Sequence, residues 1–374
     1  MILCGLSVAV NSVSGQTWMQ TSAPTKQWTS IASSADGTKL IAVASSDHIC
    51  YTSTNSGATW NTNSLQSYNS VASSADGNYL AAAGDVIFTS TNAGITWARS
   101  SNGLPALVWY GIDSSADGSR LIAVSISSVF TSTNFGASWT SNTVSSYGFK
   151  VCASSADGTT LIAGGVSGPM NISTNSGMTW TQKLYSGGWC SFATSSDGSK
   201  LAGISLGPPN GSGIFLSTNF GNSWLSNSVI PVTFQYVASS ADGVKLVLVG
   251  TGRSIYTSTN AGIAWVSNNI PNEQWSSVAS SADGNEFIAT IQGGGIWIYR
   301  TTSAPSLNVT LSPTNLALSW LIPSTNFVLQ QKLDLTTTNW VTLTNAPTFN
   351  LTNLNNKFTI SPSNSSGFFR LISQ

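Results

Sequence analysis

The sequence predicts an all-β protein: a seven-bladed β-propeller closed by its own N-terminal strand, followed by a small C-terminal β-sandwich. Three observations carry that prediction. The string SSADG, or a close variant, recurs seven times, with aspartates at Asp36, Asp76, Asp117, Asp157, Asp197, Asp242 and Asp283, 40 to 45 residues apart. A second string, such as STNSGATW, recurs six times in phase with it and ends at Trp60, Trp97, Trp139, Trp180, Trp224 and Trp265. Between them run short alternations of apolar and small residues, with no helical period of useful length. A period near 40 residues holding several short β runs is the pattern of a propeller blade.

The first unit, WTSIASSADGTKLIAVASSDHICYTSTNSGATW, reads as four strands. WTSIASS is the first and ends in an Asp-Gly turn; KLIAVAS is the second and HICYTST the third. Asn-Ser-Gly then turns the chain into a fourth, starting near Thr59 and Trp60. Five more units repeat this grammar. The seventh keeps its SSADG (280–284) and a third strand (293–300) but lacks the tryptophan string. That piece lies at the other end of the chain, where NSVSGQTW (11–18) puts Trp18 in the tryptophan slot. Three strands from one end and one from the other would close the ring and remove its free edge.

The remaining segments follow from where the period stops. Residues 1–15 read as what is left of a secretory signal, an apolar run followed by small residues. The propeller spans 16–300 and residues 301–305 form a linker. Residues 306–374 hold short β runs with Trp320 and Trp340 as core, similar to the immunoglobulin-like modules that end many secreted bacterial proteins. A secreted, periplasmic or cell-surface location is expected.

Of 374 residues only 26 are charged, 13 of each sign, or 7%, where soluble proteins average about 25%. A nucleic-acid partner would need a basic footprint, which is lacking. A disordered chain would lack the 41% of apolar residues and 14 tryptophans found here. No stretch approaches the ~20 apolar residues of a spanning helix. One histidine excludes multi-His metal centres, the lack of a Cys-x-x-Cys pair argues against structural zinc, and no cofactor is expected. Cys152 and Cys190 fall on first strands of neighbouring blades and could be either bonded or buried free thiols.

The Ser-Thr-Asn-x-Gly-x-Thr-Trp string resembles the Asp-box, or BNR repeat, of sialidases, xyloglucan-degrading glucanases, sortilin-type receptors and a photosystem II assembly factor. This chain keeps the Ser, Gly and Trp but places Asn at the Asp position each time: Asn55, Asn92, Asn134, Asn175, Asn219 and Asn260. The resemblance spans about residues 11–300 and implies the propeller fold. Asn keeps an oxygen that can accept backbone N–H bonds and hold the turn. The resemblance carries over no catalytic residue. A sialidase arginine triad cannot be assembled, since Arg253 alone among the propeller arginines falls outside the repeated positions.

An aromatic residue stands eight positions before each repeated aspartate: Trp28, Tyr68, Trp109, Phe149, Trp189, Phe234 and Trp275. Such a ring could offer stacking platforms, but its seven-fold regularity favours wedges between blades. The repeated turns should occupy one face, leaving the opposite face to variable loops, where function tends to sit. That face carries Asp47, His48, Asp85, Arg253 and Glu273, with Tyr110, Tyr147, Tyr185, Trp189 and Tyr236 as candidate ligand contacts. Asp47, His48, Asp85 and Glu273 belong to the adjacent blades one, two and seven. Paired carboxylates among Asp47, Asp85 and Glu273 could act as acid and base on a glycosidic bond. His48 with two carboxylates could hold a divalent ion, and solvated loop residues are the plain alternative. The favoured function is a binding protein for a neutral glycan or a surface partner. The alternatives are a glycoside hydrolase and a self-assembling or adhesive extracellular subunit.

Overall fold

A computed structural model describes residues 17–45, 48–64, 68–144, 148–166, 168–185, 188–207, 213–227, 234–268, 270, 272–300, 307–311, 316–321, 327–332, 339–343, 347–350, 355–360 and 368–373. Every regular element among them is a β-strand. Blade 1 runs from the channel outward as Lys26–Ser33, Leu40–Ala44, Ile49–Ser53 and Asn61–Ser64, each antiparallel to the next. Blades 2 to 6 repeat that order, with innermost strands starting at Tyr68, Trp109, Phe149, Trp189 and Phe234. Blade 7 is composite: Glu273–Ser280, Glu286–Gly294 and Ile296–Arg300 are completed by Thr17–Gln20. Trp18 stands opposite Tyr299 in that last pairing, as the closure reading requires. The seven-bladed, N-terminally closed propeller is therefore the fold.

The second strand explains how the blades stack. Leu40–Ala44, Leu80–Gly84, Leu121–Ser125, Leu161–Gly165 and Leu201–Ser205 are buried at every residue. Each lies in the middle of its blade with a neighbouring blade on both sides, so alternation gives way to a continuous apolar run. The seven aromatics that start the innermost strands are only 1 to 4% exposed and fill the gaps between blades. They are wedges, as their regularity implied.

The repeated turns hold one face. In blade 1 the Ser34 hydroxyl donates to Asp36 Oδ1 at 2.5 Å and accepts the Lys39 amide at 2.9 Å, while the Thr38 amide donates to the same carboxyl at 3.0 Å. Burial opposes ionisation at Asp76, yet donors from Ser74 and Asn78 and the charge of Lys39 outweigh it and hold the carboxyl below its ordinary value. Asp117, Asp157 and Asp197 are shifted the same way. In the tryptophan turns Asn55 Oδ1 accepts the Thr59 amide at 2.9 Å, and the Trp60 indole N–H returns to the Gly57 carbonyl at 3.2 Å. The residue between Asn and Gly lies at φ 52 to 59° in all six copies, Phe135 and Phe220 among them. The side-chain bonds of each turn compensate that left-handed strain.

Next to these turns the backbone forms a closed hoop. The amide of Ala35 donates to the carbonyl of Ala75, Ala75 to Ala116, Ala116 to Ala156, Ala156 to Ser196, Ser196 to Ala241, Ala241 to Ala282, and Ala282 back to Ala35, at 2.7 to 2.9 Å. It rings a channel end of about 160 Å³ lined by serines, alanines and Thr194.

Cys50, Cys152 and Cys190 are free thiols. The possible Cys152–Cys190 bridge is not formed; their sulfurs face the carbonyls of Ile122 at 3.8 Å and Gly188 at 3.4 Å. In the C-terminal segment Asn308–Leu311, Leu316–Leu321, Asn355–Ile360 and Thr348–Asn350 form one sheet, and Val341–Thr342, Phe327–Lys332 and Phe368–Ser373 another. Leu318, Trp320 and Leu329 are their shared core. Residues 1–15 and the linker 301–305 lie outside the described residues.

Candidate functional site

The face opposite the repeated turns is built around the channel mouth, and register identifies its lining. In every blade the inner aromatic pairs with one residue of the second strand: Trp28 with Ala44, Tyr68 with Gly84, Trp109 with Ser125, Phe149 with Gly165, Trp189 with Ser205, Phe234 with Gly250 and Trp275 with Ile291. The next residue toward the mouth is therefore equivalent in all seven: Ser45, Asp85, Ile126, Val166, Leu206, Thr251 and Gln292. All seven are exposed, and the chemistry divides sharply. Blades 3 to 5 present Ile126, Val166 and Leu206 at 51, 45 and 37% exposure, with Val108 at 43% beside Ile126. Blades 6, 7, 1 and 2 present Thr251, Gln292, Ser45 and Asp85, with Gln274 and Gln27 alongside.

Backbone bonds fix both arcs. The Gly148 amide donates to the Ile126 carbonyl at 2.6 Å and the Val166 amide to the Gly148 carbonyl at 3.0 Å, so one glycine ties the loops of blades 3 and 4. Leu206 is held likewise by Gly188 at 2.9 Å. On the polar side the second strands of blades 6 and 7 run past their own blades and pair with the next innermost strand. Thr251 faces Gln274 and Arg253 faces Glu273; Gln27 faces Gln292 and Lys26 faces Gly294. The Trp28 indole donates to the Gly294 carbonyl at 3.0 Å, and the Thr251 hydroxyl to Gln235 Oε1 at 3.3 Å. A continuous wall thus joins blades 6, 7 and 1 where the others stop short.

The channel wall below shows a second break in symmetry. An innermost strand has an unpaired edge, and its amides need acceptors. Hydroxyls two residues past the inner aromatic supply them across the blade gaps: Ser30 for Val71 and Ser70 for Ile112, both at 3.2 Å, Ser191 for Val237 at 3.2 Å, and Ser277 for Ile31 at 3.3 Å. Blades 4 and 6 have Val151 and Tyr236 at that position, and blade 3 has Gly111. Two residues on, where the other blades have alanine, Asp113 accepts the amides of Ser114 and Ser154, each at 2.8 Å. Burial pushes this carboxyl up to about 6, against the two amide donors that favour its charge.

His48 (φ 52°) and Asp85 are exposed, and Glu273 is half-buried at the start of an innermost strand. They occupy blades 1, 2 and 7 on the mouth face. Tyr110 and Tyr236 are half-buried; burial, then the nearby Cys190, raises the Tyr236 phenol above its ordinary value. Trp189 is corrected: at 1% exposure it packs against Phe192 and edge-on against Phe215, with centroids 5.4 and 5.5 Å away, and offers no face to a ligand. Asp47 and Tyr147 lie outside the described residues, as do the side chains of Tyr185 and Arg253. Sequence reasoning missed Val108, Ile126, Val166 and Leu206. Aligning the seven units on their inner aromatics exposes the last three, whose apolar side chains carry no motif.

With this geometry in hand, likeness to solved structures becomes informative about the fold. Hydrazine synthase from Kuenenia stuttgartiensis superposes with a TM-score of 0.62 at 16% identity, over 79% of this chain and 100% of that one. YCF48 bound to a D1 peptide gives 0.56 at 15%, over 79% and 100%. YCF48 from Cyanidioschyzon merolae gives 0.58 at 16%, over 76% and 98%. All three neighbours are β-propellers. No protein-family model and no curated protein matches the sequence.

Proposed function

We propose that this protein is a binding scaffold that engages a protein partner through the mouth of its propeller. The observation that carries the reading is the division of one structurally equivalent ring position into an apolar arc on blades 3 to 5 and a polar arc on blades 6 to 2. A position that served only the frame would repeat, as the turns and the inner aromatics do. Exposed apolar side chains gathered on a rigid, backbone-bonded rim suit an interface. A similar propeller, YCF48, is described bound to a peptide, which supports a polypeptide partner. In this reading the tryptophan turns are an Asn-for-Asp variant of the Asp-box, and the scaffold works as a secreted or cell-surface protein.

The test is site-specific photo-crosslinking on the intact chain. A crosslinker at Ile126 or Val166 on the mouth face is compared with one at Met178 or Ile263 on the turn face, in the presence of surface proteins from the source cells. Defined adducts from the mouth positions alone are expected. Adducts from the turn face alone would sink the proposal. Assaying a polysaccharide panel for binding and for new reducing ends tests the glycan and hydrolase alternatives. In the hydrolase alternative, loss of cleavage in Asp85→Asn or Glu273→Gln would mark the acid and base.

A further inference from the structure

We infer that the segment received by the mouth is an extended, uncharged stretch of polypeptide, with its apolar side chains over blades 3 to 5 and its peptide groups against the glutamines of blades 6, 7 and 1. The inference rests on the mouth being the binding place and goes on to specify the occupant.

Three features select this chemistry. Within the apolar arc of Val108, Ile126, Val166 and Leu206, the last three are pre-ordered by the Gly148 and Gly188 bonds, so covering them requires little ordering of the scaffold. The facing arc supplies Gln27, Gln274 and Gln292, whose amides both donate and accept and so match a peptide group on either side. A chain in extended form sends alternate side chains to opposite sides, which lets one stretch meet two unlike arcs.

Charge narrows the occupant further. Among the described charged side chains named for this face, Asp85 and Glu273 are matched in number by Lys26 and Lys150. A strongly charged segment would be desolvated here without a matching field. A sugar is disfavoured on separate grounds. Sugar faces stack on open aromatic rings, and among the described residues all seven inner aromatics are buried between blades while Tyr110 and Tyr236 are only half-exposed.

The experiment is peptide display on the intact chain, with affinities of the enriched peptides measured for three forms. These are the wild type, Ile126→Asp/Val166→Asp, and Gln27→Ala/Gln292→Ala. Enriched peptides should be uncharged with at least two apolar residues, and raising salt should leave their affinity nearly unchanged. The apolar-arc variant should lose about 100-fold, at roughly tenfold per covered side chain. The glutamine variant should lose several-fold. Melting temperatures verify folding, and Ile126→Thr/Val166→Thr replaces the aspartate pair if it unfolds. Charged, salt-sensitive peptides, or affinity unchanged in the apolar-arc variant, would overturn the assignment of the segment while leaving the mouth as the binding place. Glycan binding that Ile126→Asp/Val166→Asp abolishes, with no peptide enriched, would do the same. Binding lost only with the turn-face variant Ile95→Asp/Met178→Asp would overturn the reading beneath it.

Discussion

Replacing Asp113 by Asn should stabilise the propeller above pH 6 and leave it unchanged near pH 4. Asp113 is the one carboxylate among seven equivalent positions otherwise held by alanine, and burial raises it from 3.8 to about 6. Below the unfolded value the group is neutral in both states and costs nothing. As pH rises from about 4 to about 6, unfolding releases the proton more readily than the folded chain does, so stability falls by up to 1.4 kcal/mol per unit of difference. The upper limit is about 3 kcal/mol, and partial opening to the channel reduces it to about 2 kcal/mol. Asn keeps an oxygen for the Ser154 amide and removes the titration. Melting curves from pH 4 to 8 should show the two proteins coinciding at the acid end. They should diverge to about 4–8 °C at pH 8, on a scale of 2–4 °C per kcal/mol. A constant offset across that range would refute the reasoning, because it would tie the effect to packing and not to the proton.

Other changes probe other parts of the frame. Asn92→Ala removes the acceptor for the Thr96 amide and should cost about 1 kcal/mol, read as a small fall in melting temperature, with Asn92→Asp milder. Trp18→Ala takes a ring from between Trp275 and Tyr299, 6.1 and 5.2 Å away, and should cost about 3 kcal/mol while making the first strand the earliest site of limited proteolysis. The Cys50 thiol, pushed well up by burial, should resist a thiol reagent at pH 8 until the chain unfolds.

Much of this architecture was legible because it is written seven times. The repeated aspartates and tryptophans located the turns of one face, and the missing seventh tryptophan string located the closure at Trp18. The site was less legible because it is written once per blade, in residues without a motif. Ile126, Val166 and Leu206 are ordinary apolar residues inside variable loops; they stand at the same distance after their inner aromatics as Ser45, Asp85, Thr251 and Gln292 do, but only strand register places that position at the mouth. Trp189 misled for the opposite reason. Its place in the sequence suits both a wedge and a contact, and burial decides for the wedge. Asp113 carries no such signal, because its partner, the Ser154 amide, lies on the next blade and has no trace in local sequence.

The hoop of amide bonds beside the SSADG turns makes blade number a discrete property of this molecule. Every link donates from one blade to the next in the same rotational sense, so the circuit has neither a first nor a last member. Duplicating or deleting one repeat would change the angle at every joint together, and each link would need new geometry at once. Repeats within the ring can therefore diverge freely in their mouth residues, while gain or loss of a whole repeat is penalised at all seven joints.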